Sequence, residues 1–256
     1  MIRFQGDSCG LSDFQSFRLF LQMQLPFFYS EQIAESGSTI SLNEETSRHV
    51  VNVLRMRAGE QLHLTTGKGN LVTAKIVNNH KKHCEVVIKT VSVVPTPERQ
   101  VTIAISLLKN ASRFEWFLEK ATEIGVNSII PLLCERTERQ HFRKDRMEGL
   151  LISAMLQSRQ CWLPDLKEPM KFDSYINGPF KDSDLFIAHC EEDNNQPLHS
   201  CVRLSPHSHI LIGPEGDFTR KEIEGALQCK FLPVSLGRTR LRSETAGVVA
   251  ATLLLL

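Results

Sequence analysis

The sequence predicts an α/β protein in two parts, a small strand-rich region followed by a mostly parallel sheet covered by helices. Three observations carry this reading. Residues 39–94 hold short apolar and β-branched runs separated by glycine and asparagine, the pattern of a small β-barrel. Pro95-Thr96-Pro97-Glu98 then breaks the pattern, because two prolines so close favour extended backbone and oppose helix. Beyond it, apolar runs alternate with helical patterns, which implies a mostly parallel sheet.

In the first region, Asn43 is placed as the N-cap of a helix over residues 44–54. Its Val50, Val51 and Leu54 recur at helical spacing. Gln61 to Thr66 and Asn70 to Val77 alternate apolar with polar, and Gly67-Lys68-Gly69 turns the chain between them. Asn78 to His83 forms a second turn before the run Glu85 to Val94.

The second region opens with an apolar strand, Val101 to Leu108. Ser112-Arg113-Phe114-Glu115 fits a capping box, in which serine and glutamate satisfy opposite orphan amides. The helix it begins carries Phe114, Phe117, Leu118, Ala121 and Ile124 on one face, and Gly125 fits its C-terminal cap. Ser128 to Cys134 is the next strand, then a helix runs from about Asp145 to Arg159. Strands follow at Asp184 to Cys190, Ser208 to Ile212 and Phe231 to Leu236.

At 256 residues, with 41% hydrophobic and 23% charged content, the chain is long enough to bury a core and has an ordinary globular composition. A net charge of +1 gives no global basic field, so any RNA site must come from local clustering. The seven cysteines are odd in number and form no Cys-x-x-Cys pair. That argues against a disulfide framework and a zinc ribbon, and favours a reducing compartment. His80, His83 and Cys84 lie close together in a polar turn but fit known ligand spacings poorly, so no metal is expected. No stretch is long and apolar enough to span a bilayer. Phe17 to Leu21 is interrupted by Arg18 with no small-residue cleavage site after it, and the expectation is a cytoplasmic protein. Residues 1–22 show no sustained periodicity and read as an upstream extension, with Met23 as the natural start.

Two segments near the C-terminus hold the chemistry. Ile212-Gly213-Pro214-Glu215-Gly216-Asp217-Phe218 follows a buried-strand pattern and precedes a second capping box, Thr219-Arg220-Lys221-Glu222. Its glycines permit a tight turn and close ligand approach, and Pro214 stiffens it. The segment is either an ordinary strand–turn–helix connection or a ligand loop; it is not a dinucleotide fingerprint or a P-loop. In Leu236 to Ala246, Arg238, Arg240 and Arg242 stand at alternate positions with no acid before Glu244. Ser243 suits a helix cap and Glu244 the positive end of its dipole. The arginines either solvate a loop or hold phosphate and oxyanion groups, which guanidinium forks match. Ala246, Gly247, Ala250 and Ala251 let another backbone come close, in a packed interior or at a subunit contact. Two further basic stretches, Arg136, Arg139, Arg143, Lys144 and Arg146, and Arg48, His49, Arg55 and Arg57, are either wet faces or phosphate-tracking surfaces.

The two C-terminal segments resemble the cofactor loops of the SPOUT class of RNA methyltransferases, and more narrowly those of the ribosomal RNA small subunit methyltransferase E family. His49 with Val53-Leu54-Arg55, Lys120 to Val126, Cys134-Glu135-Arg136, and Ala154 to Arg159 with Pro164 are similar to further motifs of that family, in consistent order over residues 23–256. Two departures stand out: Asp217 replaces a usual glycine, and Thr239-Arg240 replaces the usual arginine–isoleucine order.

The resemblance implies a PUA-like RNA-binding barrel over residues 23–94, a linker at 95–98 and a SPOUT domain over 99–256, its mostly parallel sheet tied in a deep trefoil knot. It implies a homodimer, bound S-adenosylmethionine, and methylation of N3 of a uridine in 16S rRNA of the small ribosomal subunit. Ile212, Gly213, Pro214, Glu215, Gly216, Leu236, Gly237, Leu241 and Arg242 map to the cofactor loops. Arg242 is the expected catalytic residue. Arg48, His49, Arg55, Arg57, Arg136, Arg139, Arg159, Arg238 and Arg240 are the expected RNA contacts. The alternative is a non-catalytic RNA-binding protein with a degenerate cofactor domain, for which Asp217 and Thr239-Arg240 are the only support.

Overall fold

The structure, a computed structural model, describes residues 25–138, 141–191, 195–202 and 205–255. The expected extension over residues 1–22, and Arg139, lie outside the described residues. Contacts divide the chain into two units. One holds Asn70–Val94 with the described residues up to Thr66; the other holds Gly67–Gly69 and Pro95–Leu256.

The first unit is a five-stranded sheet built from β1 (Phe27–Tyr29), β2 (Thr39–Ser41), β3 (Gln61–Thr65), β4 (Asn70–Asn79) and β5 (Cys84–Val93), in the order β1-β3-β4-β5-β2. Alternation decides which face is buried: Val72, Ala74 and Ile76 of β4 and Val86 and Ile88 of β5 enter one core with Leu62 and Leu64. Helix α1 (Glu44–Arg48) is capped as expected, Asn43 Oδ1 accepting from the Thr46 amide at 2.8 Å. It continues as a π-helical turn, His49–Val53, closed by the Leu54 amide donating to His49 O at 2.9 Å. The wider turn keeps Val50 in the core and leaves Val53 and Leu54 exposed, so the helical spacing read over residues 44–54 holds only for its first part.

The second unit carries an eight-stranded sheet in which every pairing is parallel. Its strands are β6 (Gln100–Ser106), β7 (Ser128–Leu133), β8 (Asp165–Leu166), β9 (Met170–Lys171), β10 (Ser183–Ala188), β11 (Gln196–Pro197), β12 (His207–Ile212) and β13 (Leu232–Ser235). The order is β11-β13-β10-β12-β6-β7-β8, with β9 also on β7. The helices are α2 (Ala111–Ile124), α3 (Lys144–Gln157), α4 (Phe172–Ile176), α5 (Leu198–Cys201), α6 (Arg220–Gln228) and α7 (Ser243–Leu255).

A sheet covered on both faces has two cores, and neighbouring residues of one strand serve different ones. Ile103 and Ile105 face the core filled by Phe114, Phe117, Leu151 and Ala250. Ala104, Ile187 and Leu211 face the core filled by Phe172, Phe218, Ile223 and Phe231. The small residues of α7 serve this interior. A Cβ on Gly247 would lie 2.5 Å from Phe117 Cε2 and 3.3 Å from Ile105 Cδ1.

The N-terminus of α2 differs from the capping box read at Ser112. Asn110 is the N-cap, its side chain accepting from the Ser112 amide at 2.9 Å. Asparagine is at least as good a cap as serine, and placing it there starts the helix two residues earlier. Glu115 pairs instead with Arg146, at 3.0 Å. Gly125 ends the helix in the left-handed conformation (φ 102°), as expected.

Candidate functional site

The parallel register brings three strand ends together. Ala188, the last residue of β10, is the register partner of both Ile212 at the end of β12 and Val234 near the end of β13. The loops that follow these strands therefore leave the sheet on one edge, the carboxyl edge where open α/β sheets bind ligands.

The turn 213–218 is held from several sides. Asp217 takes the left-handed conformation (φ 63°), which asparagine and aspartate tolerate better than other side chains. Its Oδ1 accepts from the Phe218 amide and its Oδ2 from the Cys190 amide, both at 2.8 Å. The aspartate thus keeps the turn that glycine would give and adds a tie to the loop after β10. Arg136 Nη1 donates to Gly216 O at 2.7 Å, and Glu215 Oε1 accepts from the Lys109 amide at 3.0 Å. A Cβ on Gly213 would lie 3.2 Å from the Phe218 amide nitrogen, so the turn closes tightly on a residue without a side chain.

The helix after this turn starts as expected. Thr219 caps α6, and Glu222 returns a bond to the Thr219 amide at 2.8 Å. Glu222 is buried, and its other oxygen accepts from the Glu135 amide at 2.8 Å. The Cys134-Glu135-Arg136 segment is therefore a clamp on the turn, and Arg136 is engaged with the protein's own backbone.

Two adjoining cavities open at this edge. One, of about 330 Å³, lies between Ile212, Gly213, Pro214 and Glu215 on one side and Leu241 and Arg242 on the other. The second, of about 570 Å³, is bounded by Leu236, Gly237, Arg238, Arg240 and Leu241, together with His189 and Asn195. Ala188, Cys190, Arg240, Leu241 and Ala246 belong to both. Gly237 sits at φ 147°, a conformation that disfavours side chains, and a Cβ there would meet nothing within 4 Å. Its backbone is open to the cavity.

The expected cofactor residues Ile212, Gly213, Pro214, Glu215, Leu236, Gly237, Leu241 and Arg242 thus line one continuous cleft. Gly216 does not line it; it sits behind, against Arg136. Of the expected RNA contacts, Arg238 and Arg240 reach the cleft and are exposed. Arg159 is exposed at the C-terminus of α3 with φ 58°. Arg48 and His49 border a separate surface hollow with Asn52, in the first unit, where Arg48 is paired with Glu44. Arg55 and Arg57 are exposed in the same unit.

Sequence reasoning missed His189, Cys190 and Asn195. No motif marks them; only the pairing of β10 with β12 and β13 brings them to the cleft. The Cys190 thiol is exposed, but burial of its surroundings and the Asp217 carboxylate push its pKa up, so it is not poised as a thiolate. Cys134 lies behind the turn with its thiol pushed up to about 12 by burial, and is likewise no nucleophile. Among the described residues no group of three histidine, cysteine or carboxylate side chains could hold a metal, and no helix is long and apolar enough to cross a membrane.

Comparison with known proteins gives a consistent answer. The RNA methyltransferase domain family matches residues 95–255, and the RNA methyltransferase PUA domain family matches residues 42–89. The ribosomal RNA small subunit methyltransferase E of Synechocystis sp. is 31% identical over 225 residues, covering 86% of this chain and 73% of that protein. A crystal structure of a probable rRNA-methyltransferase from Porphyromonas gingivalis is 37% identical with a TM-score of 0.83, covering 89% of this chain and 95% of that one. The ribosomal RNA small subunit methyltransferase E of Neisseria gonorrhoeae, solved with S-adenosyl methionine bound, is 27% identical with a TM-score of 0.81 over 89% of this chain and 95% of that one.

Proposed function

Because this chain belongs to the ribosomal RNA small subunit methyltransferase E family, with its SPOUT-type α/β fold, we propose that it uses S-adenosylmethionine to methylate N3 of a uridine in 16S rRNA. The observation that carries the reading is the convergence of the turn 213–218 and the loop 236–242 on one cleft at the carboxyl edge of a parallel sheet. In this reading, the first unit is a PUA-like RNA-binding module over residues 23–94, residues 95–98 are the linker, and residues 99–256 are the methyltransferase domain. The working form is a cytoplasmic homodimer acting on the small ribosomal subunit or its RNA.

The residues fit the cofactor. Cavities of about 330 and 570 Å³ fall in the range that takes a ligand of this size. Ile212, Leu236, Leu241 and Ala246 supply apolar walls, and the bare backbone at Gly213 and Gly237 permits close approach. The carboxylates of Glu215 and Asp217 suit a cationic sulfur. When bound, S-adenosylmethionine supplies an electrophilic methyl group on a positively charged sulfonium.

Uridine N3 carries a proton and is a poor nucleophile until that proton leaves. The negative charge then spreads onto the flanking carbonyl oxygens, and a fixed cation stabilises it. Arg242, exposed on the rim of the smaller cavity, is the residue assigned to this task. Arg238 and Arg240 hold the RNA phosphates at the larger cavity, joined by Arg159 on the same unit and by Arg48, His49, Arg55 and Arg57 on the first. Arg136 is better described as a clamp on the turn than as an RNA contact. The target base leaves its stack to enter the cleft. Holding it in line with the methyl group supplies a large part of the rate.

Two substitutions were the only support for a degenerate, non-catalytic domain. Asp217 retains the glycine-type backbone, and Arg240 and Thr239 both line the cleft, so neither argues for loss of the site. The test is transfer of labelled methyl from S-adenosylmethionine to small ribosomal subunits lacking the modification, followed by mapping of the product base. Label on N3 of one uridine is the expected result; RNA binding without transfer would overturn the reading. Arg242→Ala should lower the transfer rate by about 10²–10³-fold, the cost of removing one fixed donor at a developing oxyanion. Full transfer by this variant with unchanged cofactor affinity would remove the role from Arg242.

A further inference from the structure

The larger cavity contains polar atoms that neither the fold nor the roles assigned to the arginines use. Both ring nitrogens of His189 are buried with no hydrogen-bond partner among the described residues, and so is Oδ1 of Asn195. Buried polar atoms in native proteins are nearly always hydrogen-bonded, so three unsatisfied ones on two residues of one cavity point to a ligand.

The local geometry fixes what these atoms offer. The Asn195 amide nitrogen donates to His189 O at 3.2 Å and to Glu191 O at 2.9 Å. Those two bonds set the amide orientation, so the end left over is the acceptor oxygen. They also tie Asn195 to the backbone of His189, and both residues line the same cavity. Burial pushes the His189 pKa down, against the opposing pull of Asp217 and Glu191. A neutral imidazole has one donor and one acceptor nitrogen. A flat ring between apolar walls, with N–H and acceptor groups on its edge, complements that set.

We propose that His189, through a ring nitrogen, and Asn195, through Oδ1, form the hydrogen-bonding subsite for the edge of a nitrogen heterocycle bound in this cleft. The inference rests on the reading of the cleft as the methyl-transfer site. The heterocycle has two sources there, the adenine of S-adenosylmethionine and the uracil of the RNA. Adenine offers its amino N–H to Asn195 Oδ1 and a ring nitrogen to the His189 N–H; uracil offers a carbonyl oxygen to the His189 N–H, and its N3–H to Asn195 Oδ1 only until that proton leaves.

The test uses the full chain with His189→Ala, His189→Gln and Asn195→Ala. Calorimetry without RNA measures the affinity for S-adenosylmethionine and for adenosine. Steady-state transfer to small ribosomal subunits at saturating cofactor gives kcat and KM, and thermal unfolding reports the fold. Losing one neutral hydrogen bond should cost about tenfold in whichever step uses it. A tenfold weaker cofactor, with adenosine affinity falling in parallel, assigns the subsite to adenine. Unchanged cofactor affinity with a tenfold fall in kcat/KM assigns it to uracil. In either case His189→Gln, which keeps a donor and an acceptor, should recover part of the loss. Folded variants that stay within twofold of wild type in both measurements overturn the subsite. A wild-type chain that bound no S-adenosylmethionine would instead sink the functional reading, and the subsite with it.

Discussion

Asp217 stands where the family resemblance implies a glycine, yet by the geometry of the turn replacing it with glycine should cost stability. The left-handed backbone (φ 63°) costs a non-glycine residue about 1 kcal/mol, and glycine would recover that. Against it stand two charge-assisted hydrogen bonds at 2.8 Å, from the Phe218 and Cys190 amides. Bonds to a charged partner contribute about 1.5–3 kcal/mol each, and Asp217 is only part-buried, so the low end applies. Glycine also gains freedom in the unfolded chain, a further loss of about 0.5–1 kcal/mol. The net expectation for Asp217→Gly is a destabilisation of about 2–3 kcal/mol. Asp217→Asn keeps the backbone tolerance and one acceptor oxygen and should cost about 1–2 kcal/mol. Asp217→Ala loses both bonds while keeping the backbone strain and should cost most. Urea unfolding with a common m-value gives the order. Cofactor affinity should fall in the same order, since the bond to Cys190 joins two loops of the cleft. If Asp217→Gly were neutral or stabilising, the backbone alone would set the turn and the bridging carboxylate would contribute nothing.

Gly247→Ala should destabilise by about 1–3 kcal/mol, because the new Cβ meets the fully buried Phe117 ring at 2.5 Å and overpacked cores cost that much; a melting temperature equal to wild type would show that the helix can retreat freely. His209, bonded through Nδ1 to the Tyr175 hydroxyl at 2.9 Å, has its pKa lowered to about 4 by burial and then by nearby His207. A folded pKa below the unfolded 6.5 means this contribution is complete above pH 6.5 and is lost as pH falls towards 4, about 2.5 kcal/mol by pH 4.5. Urea unfolding at pH 7.5 and 4.5 should show that loss in wild type and a smaller one in His209→Gln; equal losses would remove His209 as the cause. Arg238→Ala and Arg240→Ala should weaken RNA binding and each lower its salt dependence by about one unit of log–log slope, leaving unfolding unchanged. A salt slope unaltered in both variants would show that neither arginine meets phosphate.

Local signals carried most of the legible structure. The capping box Thr219–Glu222, the Asn43 cap and the Gly125 terminator are decided by residues within a turn of one another, and each forms as read. At α2 the cap read at Ser112 sits instead at Asn110, two residues earlier, and Glu115 pairs with Arg146 on another helix. β8, β9 and β11 are two residues long, too short to show any period, and exist because a neighbouring strand offers them an edge. The π-helical turn His49–Val53 adds a residue per turn that an apolar pattern cannot register. In the site, the glycine turn and the arginine loop were legible because their unusual composition is local. His189 and Asn195 were not, since a histidine and an asparagine after an apolar run are unremarkable until Ala188 is set beside both Ile212 and Val234.

The two sides of the cleft are built differently, and this bears on how it works. The turn 213–218 is fastened to three neighbouring strand ends: to β6 through Lys109 and Glu215, to β7 through Arg136 and Gly216, and to β10 through Cys190 and Asp217. A wall fixed by that many independent bonds holds its geometry before any ligand arrives, as a site that must align a methyl group requires. The loop 236–242 leaves β13 with a local hydroxyl bond, Ser235 Oγ to Gly237 O at 3.0 Å, and then presents Arg238, Arg240 and Arg242 exposed. Long cationic side chains on such a loop can adjust to a flexible polyanion at small cost, because their contacts are electrostatic and not tied to one geometry. The fixed wall therefore suits the small cofactor, with Leu236, Gly237 and Leu241 lining the same cleft, and the exposed arginines of the loop suit the RNA. Arg242 stands where they meet, at the smaller cavity, opposite Gly213 and Pro214. If Arg242 has the role proposed for it, a cation on this loop would reach its working position as the RNA settles, which would tie stabilisation of the uridine anion to correct docking of the RNA.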